Sequence, residues 1–296
     1  MTNTEWRKEN QPVNKADAYE VLARYYDQLM DEVDYDYWCE YVLSLVERVE
    51  GDAGSGGRPG DESGGSLGFS SWPQGKRALD LACGTGQFSY RLQQRGMTVT
   101  AVDHSPEMLA IAEERARAKG LEVTFICQDM RQLELPYTYD LVISLCDSLN
   151  YLLAEEDVAL ALEGAARVLK PGGHLIFDVN TAHKLAAVYG HHTYAADLGH
   201  FAYIWENEYQ PDTQLCYMDL VFFVPADQKG PAKAGEAPVL FERLYESHVE
   251  RAYPPEALRE LIAGAGLELV GEYADLTLAA PGPATQRITF HCRKPW

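Results

Sequence analysis

The stretch Leu79-Asp80-Leu81-Ala82-Cys83-Gly84-Thr85-Gly86 decides the fold. Ala78–Ala82 is an apolar run of strand length, and two glycines follow it at once. Glycine tolerates left-handed backbone and lets a ligand come close to the main chain. A helix opening just past such a turn aims free N–H groups at whatever lies there. Downstream the pattern repeats. Met97–Val102 reads as a second strand, and Ser105 as the N-cap of a helix with Pro106 at its first position and Met108, Leu109, Ala112 and Ala116 inward. Val123–Cys127 is a third strand. Asp140–Leu145 is a fourth, apolar enough to be covered on both faces. Glu155, Glu156 and Asp157 suit the positive end of the next helix, which closes at Lys170-Pro171-Gly172-Gly173 before a fifth strand, His174–Val179. Strand and helix in this alternation predict a parallel sheet with helices on both faces.

The flanks break the rhythm. Upstream, Tyr19, Leu22, Tyr26 and Leu29 fall on one face of a helix, and Trp38, Tyr41, Val42, Leu45, Val46 and Val49 on one face of a second that ends at Gly51. Residues 51–75 hold nine glycines, five serines and two prolines, too little apolar surface to offset the entropy of ordering, so a disordered loop is expected. Downstream of Asn180, the stretches Phe201–Tyr209, Leu215–Val224 and Val239–Val249 alternate aromatic and polar residues, as in an antiparallel meander. A helix over Pro255–Ala265 and strands at Leu267–Tyr273 and Gln286–Cys292 end the chain. The expected division is a helical cap over 1–50, the loop at 51–75, a core at 76–180 and 251–296, and a β insertion at 181–250.

Bulk properties narrow the function. The formal net charge of −20 repels phosphate backbones and anionic lipid, so nucleic acid and membrane are poor partners. No run approaches the roughly 18 apolar residues of a membrane span, and 1–14 is polar, so a cytoplasmic enzyme is expected. The six cysteines, Cys39, Cys83, Cys127, Cys146, Cys216 and Cys292, form neither a C-x-x-C pair nor a zinc-spaced cluster, so they read as free thiols and no metal site is expected.

Asp103 ends the second strand about 20 residues past the glycines, where a carboxylate accepts from both hydroxyls of a ribose. Turn and carboxylate together indicate a ligand containing adenosine. A dinucleotide and S-adenosylmethionine (SAM) both satisfy them. Against the dinucleotide stand Ser89, where its fingerprint wants glycine or alanine, the missing Tyr-x-x-x-Lys pair, and Asp80 inside the strand.

Leu79–Gly86 resembles motif I of the class I SAM-dependent methyltransferases. Ala101-Val102-Asp103-His104-Ser105, Gln128-Asp129-Met130 and Leu169-Lys170-Pro171-Gly172-Gly173 resemble the motifs that follow it, in order and spacing, over about residues 76–180. The resemblance implies a Rossmann-like, doubly wound, mostly parallel seven-stranded α/β sheet with the helical cap and the inserted meander. It also implies residue roles. Gly84 and Gly86 would lie against the methionine part of SAM, with Ala82 and Cys146 nearby. Asp80 would organise the amino group, Asp103 would bind the ribose and His104 would flank the adenine, which Asp129 and the Met130 N–H would read. Tyr19-x-x-Leu22-Ala23-x-x-Tyr26-Asp27 is similar to the cap of small-molecule N-methyltransferases, in which such tyrosines bind the SAM carboxylate.

Methyl transfer needs donor and nucleophile held in line, a positioning effect of about 7–11 kcal/mol, and a base only if the acceptor arrives protonated. The loop Cys146-Asp147-Ser148-Leu149-Asn150-Tyr151 falls where such sheets open, and Asp147 is the candidate to orient or deprotonate an amine. Trp205, Asn207, Tyr217, Arg243 and His248 are candidates to line a lid formed by the meander. The leading expectation is methyl transfer to a small molecule, nitrogen favoured over oxygen. A protein acceptor and a non-catalytic SAM-binding regulator are the alternatives.

Overall fold

The computed structural model of the protein describes residue 19 and residues 21–54, 72–226 and 240–296. In chain order its elements are α1 (Leu22–Leu29), α2 (Tyr35–Gly54), β1 (Arg77–Leu81), α3 (Gln87–Gln94), β2 (Thr98–Asp103), α4 (Pro106–Lys119), β3 (Val123–Cys127), β4 (Tyr139–Ser144), α5 (Glu155–Val168) and β5 (Leu169–Asn180). There follow β6 (Thr193–Asp197), β7 (Ala202–Gln210), β8 (Leu215–Pro225), β9 (Phe241–Arg251), α6 (Pro255–Gly264), β10 (Glu268–Ala274) and β11 (Arg287–Arg293).

Period-two geometry sends alternate side chains of each central strand into two cores. Ala78, Leu141, Ile143 and Ile176 pack under α2 and α3 with Trp38, Val42, Val46 and Phe88. Leu79, Val142, Phe177 and Phe290 pack under α5 and α6 with Val158, Leu162 and Leu258. The sheet order is β10-β11-β5-β4-β1-β2-β3. All neighbours are parallel except β11, antiparallel to both β5 and β10. The chain winds from β1 out to β3 and returns on the other side of β1 at β4. The carboxyl ends of β1 and β4 thus form the switch point at which open α/β sheets bind ligands.

A second sheet, β6-β7-β8-β9, is wholly antiparallel. Three of its strands match the alternating stretches of the sequence. The edge strand β6 was not foreseen, because most of its residues are exposed and it carries no apolar alternation. Helix α1 packs into this sheet: Tyr25 lies against Phe201, ring centroids 4.4 Å apart, and is stacked on Phe222 at 6.3 Å.

Two helix boundaries differ from expectation. Tyr19 does not share a helix face with Tyr26. The helix begins at Leu22, and Tyr19 precedes it with φ 69°. The physical reason is a cap from far away, since the buried Glu246 carboxylate of β9 accepts from the Val21 and Leu22 N–H groups. Helix α2 runs past Gly51 to Gly54, because a glycine costs a helix only about 1 kcal/mol and the buried face from Trp38 to Val46 outweighs it. The loop expected at 51–75 therefore starts inside a helix, and its stretch from 55 to 71 lies outside the described residues. Ser105 does cap α4, its Oγ accepting from Met108 N at 3.1 Å, and Met108, Leu109, Ala112 and Ala116 are buried. Among the described residues, no helix is long and apolar enough to cross a membrane.

Candidate active site

The turn after β1 is wound left-handed at three places: Ala82 (φ 58°), Gly84 (φ 54°) and Gly86 (φ 79°). This carries the main chain round the carboxyl end of the strand and turns the Gly84 N–H towards β2. It donates to Asp103 Oδ2 at 2.7 Å, while Ser105 N donates to Oδ1 at 2.8 Å. Burial raises the Asp103 pKa against these two amide bonds. A carboxylate held in this way keeps a lone pair on each oxygen for further donors. In front of it opens a cavity of about 800 Å³.

Most of the residues singled out in the sequence meet on this cavity. Ala82, Gly84, Asp103, His104, Asp129 and Met130 line it, and so do Tyr19, Tyr26 and Cys146. A Cβ on Gly84 would meet no atom within 4 Å, so its face is open to a ligand. Three expected residues are not on the wall. Gly86 lies behind it, where a Cβ would come within 2.9 Å of the Tyr90 ring. Asp80, 1% exposed, sits beneath the turn and accepts from Ser89 Oγ at 2.5 Å. Burial pushes its pKa up to about 7. Ser89, the residue that departs from the dinucleotide pattern, is thus the partner of Asp80. Asp129 is on the wall but already engaged. It caps the 3-10 turn Met130–Gln132 through Arg131 N, and the Arg131 guanidinium forks onto it, with Nη2 at 2.5 Å from Oδ2. That partner holds its pKa below the usual carboxylate range.

The third residue off the wall is Asp147. Cys146 and Asp147 are both left-handed (φ 58° and 56°), and their N–H groups donate to the buried Asp178 at 2.8 and 3.0 Å. Arg287 bridges Asp178 and Asp147, its Nη2 donating to Asp147 Oδ1 at 2.7 Å. Burial would raise the Asp147 pKa, but Arg287 and Lys184 hold it low, so the carboxylate is an anchored anion and a weak base. Beside it Glu250, 2% exposed, accepts from Asn180 Nδ2 at 2.9 Å, and burial pushes its pKa up to about 8. Burial and the neighbouring Asp147 anion both favour the protonated form of Glu250.

Part of the wall is aromatic, with Tyr19, Tyr26, Tyr35 and Tyr151. The rings of Tyr19 and Tyr26 are 6.4 Å apart, and those of Tyr19 and Tyr151 are 5.7 Å apart. Helix α1 is pinned to the turn by Asp27, which accepts from Thr85 Oγ1 (2.6 Å) and Gln87 Nε2 (3.1 Å) and pairs with Arg115. Sequence reasoning missed Tyr35, Thr85, Gln87 and Phe88 on the wall. Thr85 stands inside the quoted glycine turn and Gln87 and Phe88 just past it, whereas Tyr35 carried no signal. Of the lid candidates, Trp205 packs between Tyr189 and Tyr194, Asn207 donates to the His192 carbonyl, Tyr217 stays within β8, and Arg243 is exposed on β9. None of these four lines the cavity. His248 lies behind the wall against Tyr19 and Tyr151. Among the described residues no group of three or more metal-ligating side chains is assembled.

Comparison with known proteins agrees with this architecture. Residues 78–173 match a family described as "Methyltransferase domain". The chain is 32% identical over 277 residues to the Bacillus subtilis (strain 168) protein named "Putative methyltransferase YqeM", covering 93% of this chain and 97% of that protein. It is likewise 32% identical over 277 residues to a Geobacillus sp. (strain WCH70) protein named in the same way, 94% of this chain and 100% of that one. A crystal structure of a SAM-dependent methyltransferase from Clostridium acetobutylicum ATCC 824 superposes with a TM-score of 0.73 at 28% identity, covering 94% of this chain and 99% of that one. The chain belongs to the class I SAM-dependent methyltransferases. SAM is its methyl donor.

Proposed function

We propose that the cavity holds SAM along the edge from Gly84 through Asp103 to Asp129 and presents its methyl group to a small acceptor under the tyrosine wall, nitrogen in preference to oxygen. The observation that carries this reading is the Asp103 carboxylate, pinned by Gly84 N and Ser105 N at the mouth of one continuous cavity. Gly84 admits the methionine part close to the main chain, the free lone pairs of Asp103 take the ribose hydroxyls, and Met130 and His104 flank the base. SAM supplies an electrophilic methyl group on a sulfonium.

The protein's part is to orient and to exclude water. The faces of Tyr19, Tyr26, Tyr35 and Tyr151 suit a cationic centre, worth roughly 0.5–2 kcal/mol per ring when desolvated. In this reading, residues 1–50 act as a cap and 181–250 as a lid over a core of 76–180 and 251–296. A cavity of about 800 Å³ falls in the range of small-ligand pockets, about 300–1,000 Å³. The net charge of −20 draws in cationic amines. Asp147, locked to Arg287, orients the loop instead of taking a proton.

The test is incorporation of label from tritiated SAM into a metabolite extract and, separately, into a protein extract. Label is expected on small amines. Label confined to protein would overturn the acceptor class.

A further inference from the structure

Behind the tyrosine wall stands a line of polar groups to which orientation and cation binding give no task. Glu246 on β9 is 0% exposed. Its Oε1 is occupied by the Val21 and Leu22 N–H groups, and its Oε2 faces His248 Nε2 at 3.2 Å. A carboxylate that accepts at both oxygens requires a hydrogen on Nε2, and a neutral imidazole then leaves Nδ1 as an acceptor. His248 Nδ1 faces Tyr151 Oη at 3.5 Å, a long contact of the kind that tightens when a site fills. The Tyr19 ring lies 4.9 Å from that of His248 and 5.7 Å from that of Tyr151. With the hydrogen on Nε2, the donors point one way, from Tyr151 to His248 to Glu246. The tyrosines line the cavity, whereas His248 is 3% exposed and never meets the ligand space. The other titratable groups around this pair are Glu250 on β9, Asp147 after β4 and Tyr26 on α1, and the residue opposite His248 on β8 is Met218, which carries no charge.

Resting on the methyl-transfer reading of the cavity, we propose that Tyr151 takes the proton an N–H or O–H acceptor releases on methylation, while His248 receives the tyrosine's own proton and Glu246 holds the resulting imidazolium. In this step the S–CH3 bond breaks with its electron pair left on sulfur, and the bond from the acceptor atom to the methyl carbon forms. The acceptor proton passes to Tyr151 Oη, and the phenolic proton passes to His248 Nδ1. The positive charge that leaves the sulfonium reappears on an imidazolium beside a carboxylate, so the new buried cation forms next to its counter-charge. Tyr151 is the catalytic residue, and His248 and Glu246 are positioning residues that act through it.

Two readouts on the full chain test this. Long-range 1H–15N spectra, with the His248 signals identified by their loss in His248→Asn, are expected to show a neutral ring with its hydrogen on Nε2. A hydrogen on Nδ1 overturns the proposal. Methyl transfer from tritiated SAM into a metabolite extract is the second. His248→Asn and Tyr151→Phe are expected to bind SAM calorimetrically within about twofold of the wild type, yet to transfer about 10²–10⁴-fold more slowly near neutral pH. The deficit shrinks as rising pH strips the acceptor's proton without help. Equal rates across pH in His248→Asn overturn the relay and leave the methyltransferase reading standing, whereas a wild type that binds no SAM overturns both. Should His248→Asn not fold, Tyr151→Phe, on the cavity wall, decides by the same rates.

Discussion

Asp80 and Asp103 lie close together, on neighbouring strands, yet their surroundings give them opposite tasks. Asp103 reaches the cavity and is held by two amides. Asp80 is sealed beneath the turn with Ser89 as its partner among the described residues, and its pKa rises to about 7 from the usual carboxylate value of about 3.9. In the sequence the resemblance assigned both a part in holding SAM, Asp80 at the amino group and Asp103 at the ribose; that Asp80 is sealed away was not legible, since the Ser89 contact exists only once α3 docks over β1. The raised pKa has a sign. The folded state binds the Asp80 proton more tightly than the unfolded chain does. The stabilisation this gives is full below about pH 4 and is lost as pH rises through about 7. Asp80→Asn removes the titration and keeps an acceptor for Ser89. Its melting temperature, relative to wild type, is expected to climb between about pH 4 and 7. A constant difference across that range would contradict the burial argument.

At the scale of elements, the strands and helices of the main sheet were legible because glycine turns, caps and apolar runs are local signals. β2, α4 and β3 fall within a residue or so of expectation. The placement of α1 was not legible. Its N-terminus is set by Glu246, 225 residues away, and its seat by Asp27 on Thr85, Gln87 and Arg115. The helix packs on the second sheet yet is bonded to the turn of the first, so it joins the two sheets. Asp27→Ala removes charged hydrogen bonds worth about 1.5–3 kcal/mol. The variant is expected to exchange the α1 amides faster than those of α4 and to bind SAM about tenfold more weakly. Unchanged exchange in α1 would show that Asp27 does not hold the helix.

Over the whole molecule, the motif order from Leu79 to Gly173 already implied the sheet, since strands alternating with helices have few ways to pack. Much of the cavity wall was legible for the same reason: Ala82, Gly84, Asp103, His104 and Asp129 sit at or just past the carboxyl ends of consecutive strands. The layer behind the wall was not. It joins the turn after β4, Asn180 at the end of β5, and β9, and ion pairs such as Arg287 with Asp147 and Asp178 are made by folding alone. Asp147 looked free in sequence and is committed in structure, while His248 looked partnerless and stands between Glu246 and Tyr151.

The claim on which these readings depend is that Asp103 grips an adenosyl group. Calorimetric titration of wild type and Asp103→Ala with S-adenosylhomocysteine, the demethylated product, tests it most directly. Removing a carboxylate that pairs with ribose hydroxyls is expected to weaken binding by about 1–3 kcal/mol, roughly 5- to 150-fold, with the fold intact by circular dichroism. Equal affinity in the two proteins would contradict the account.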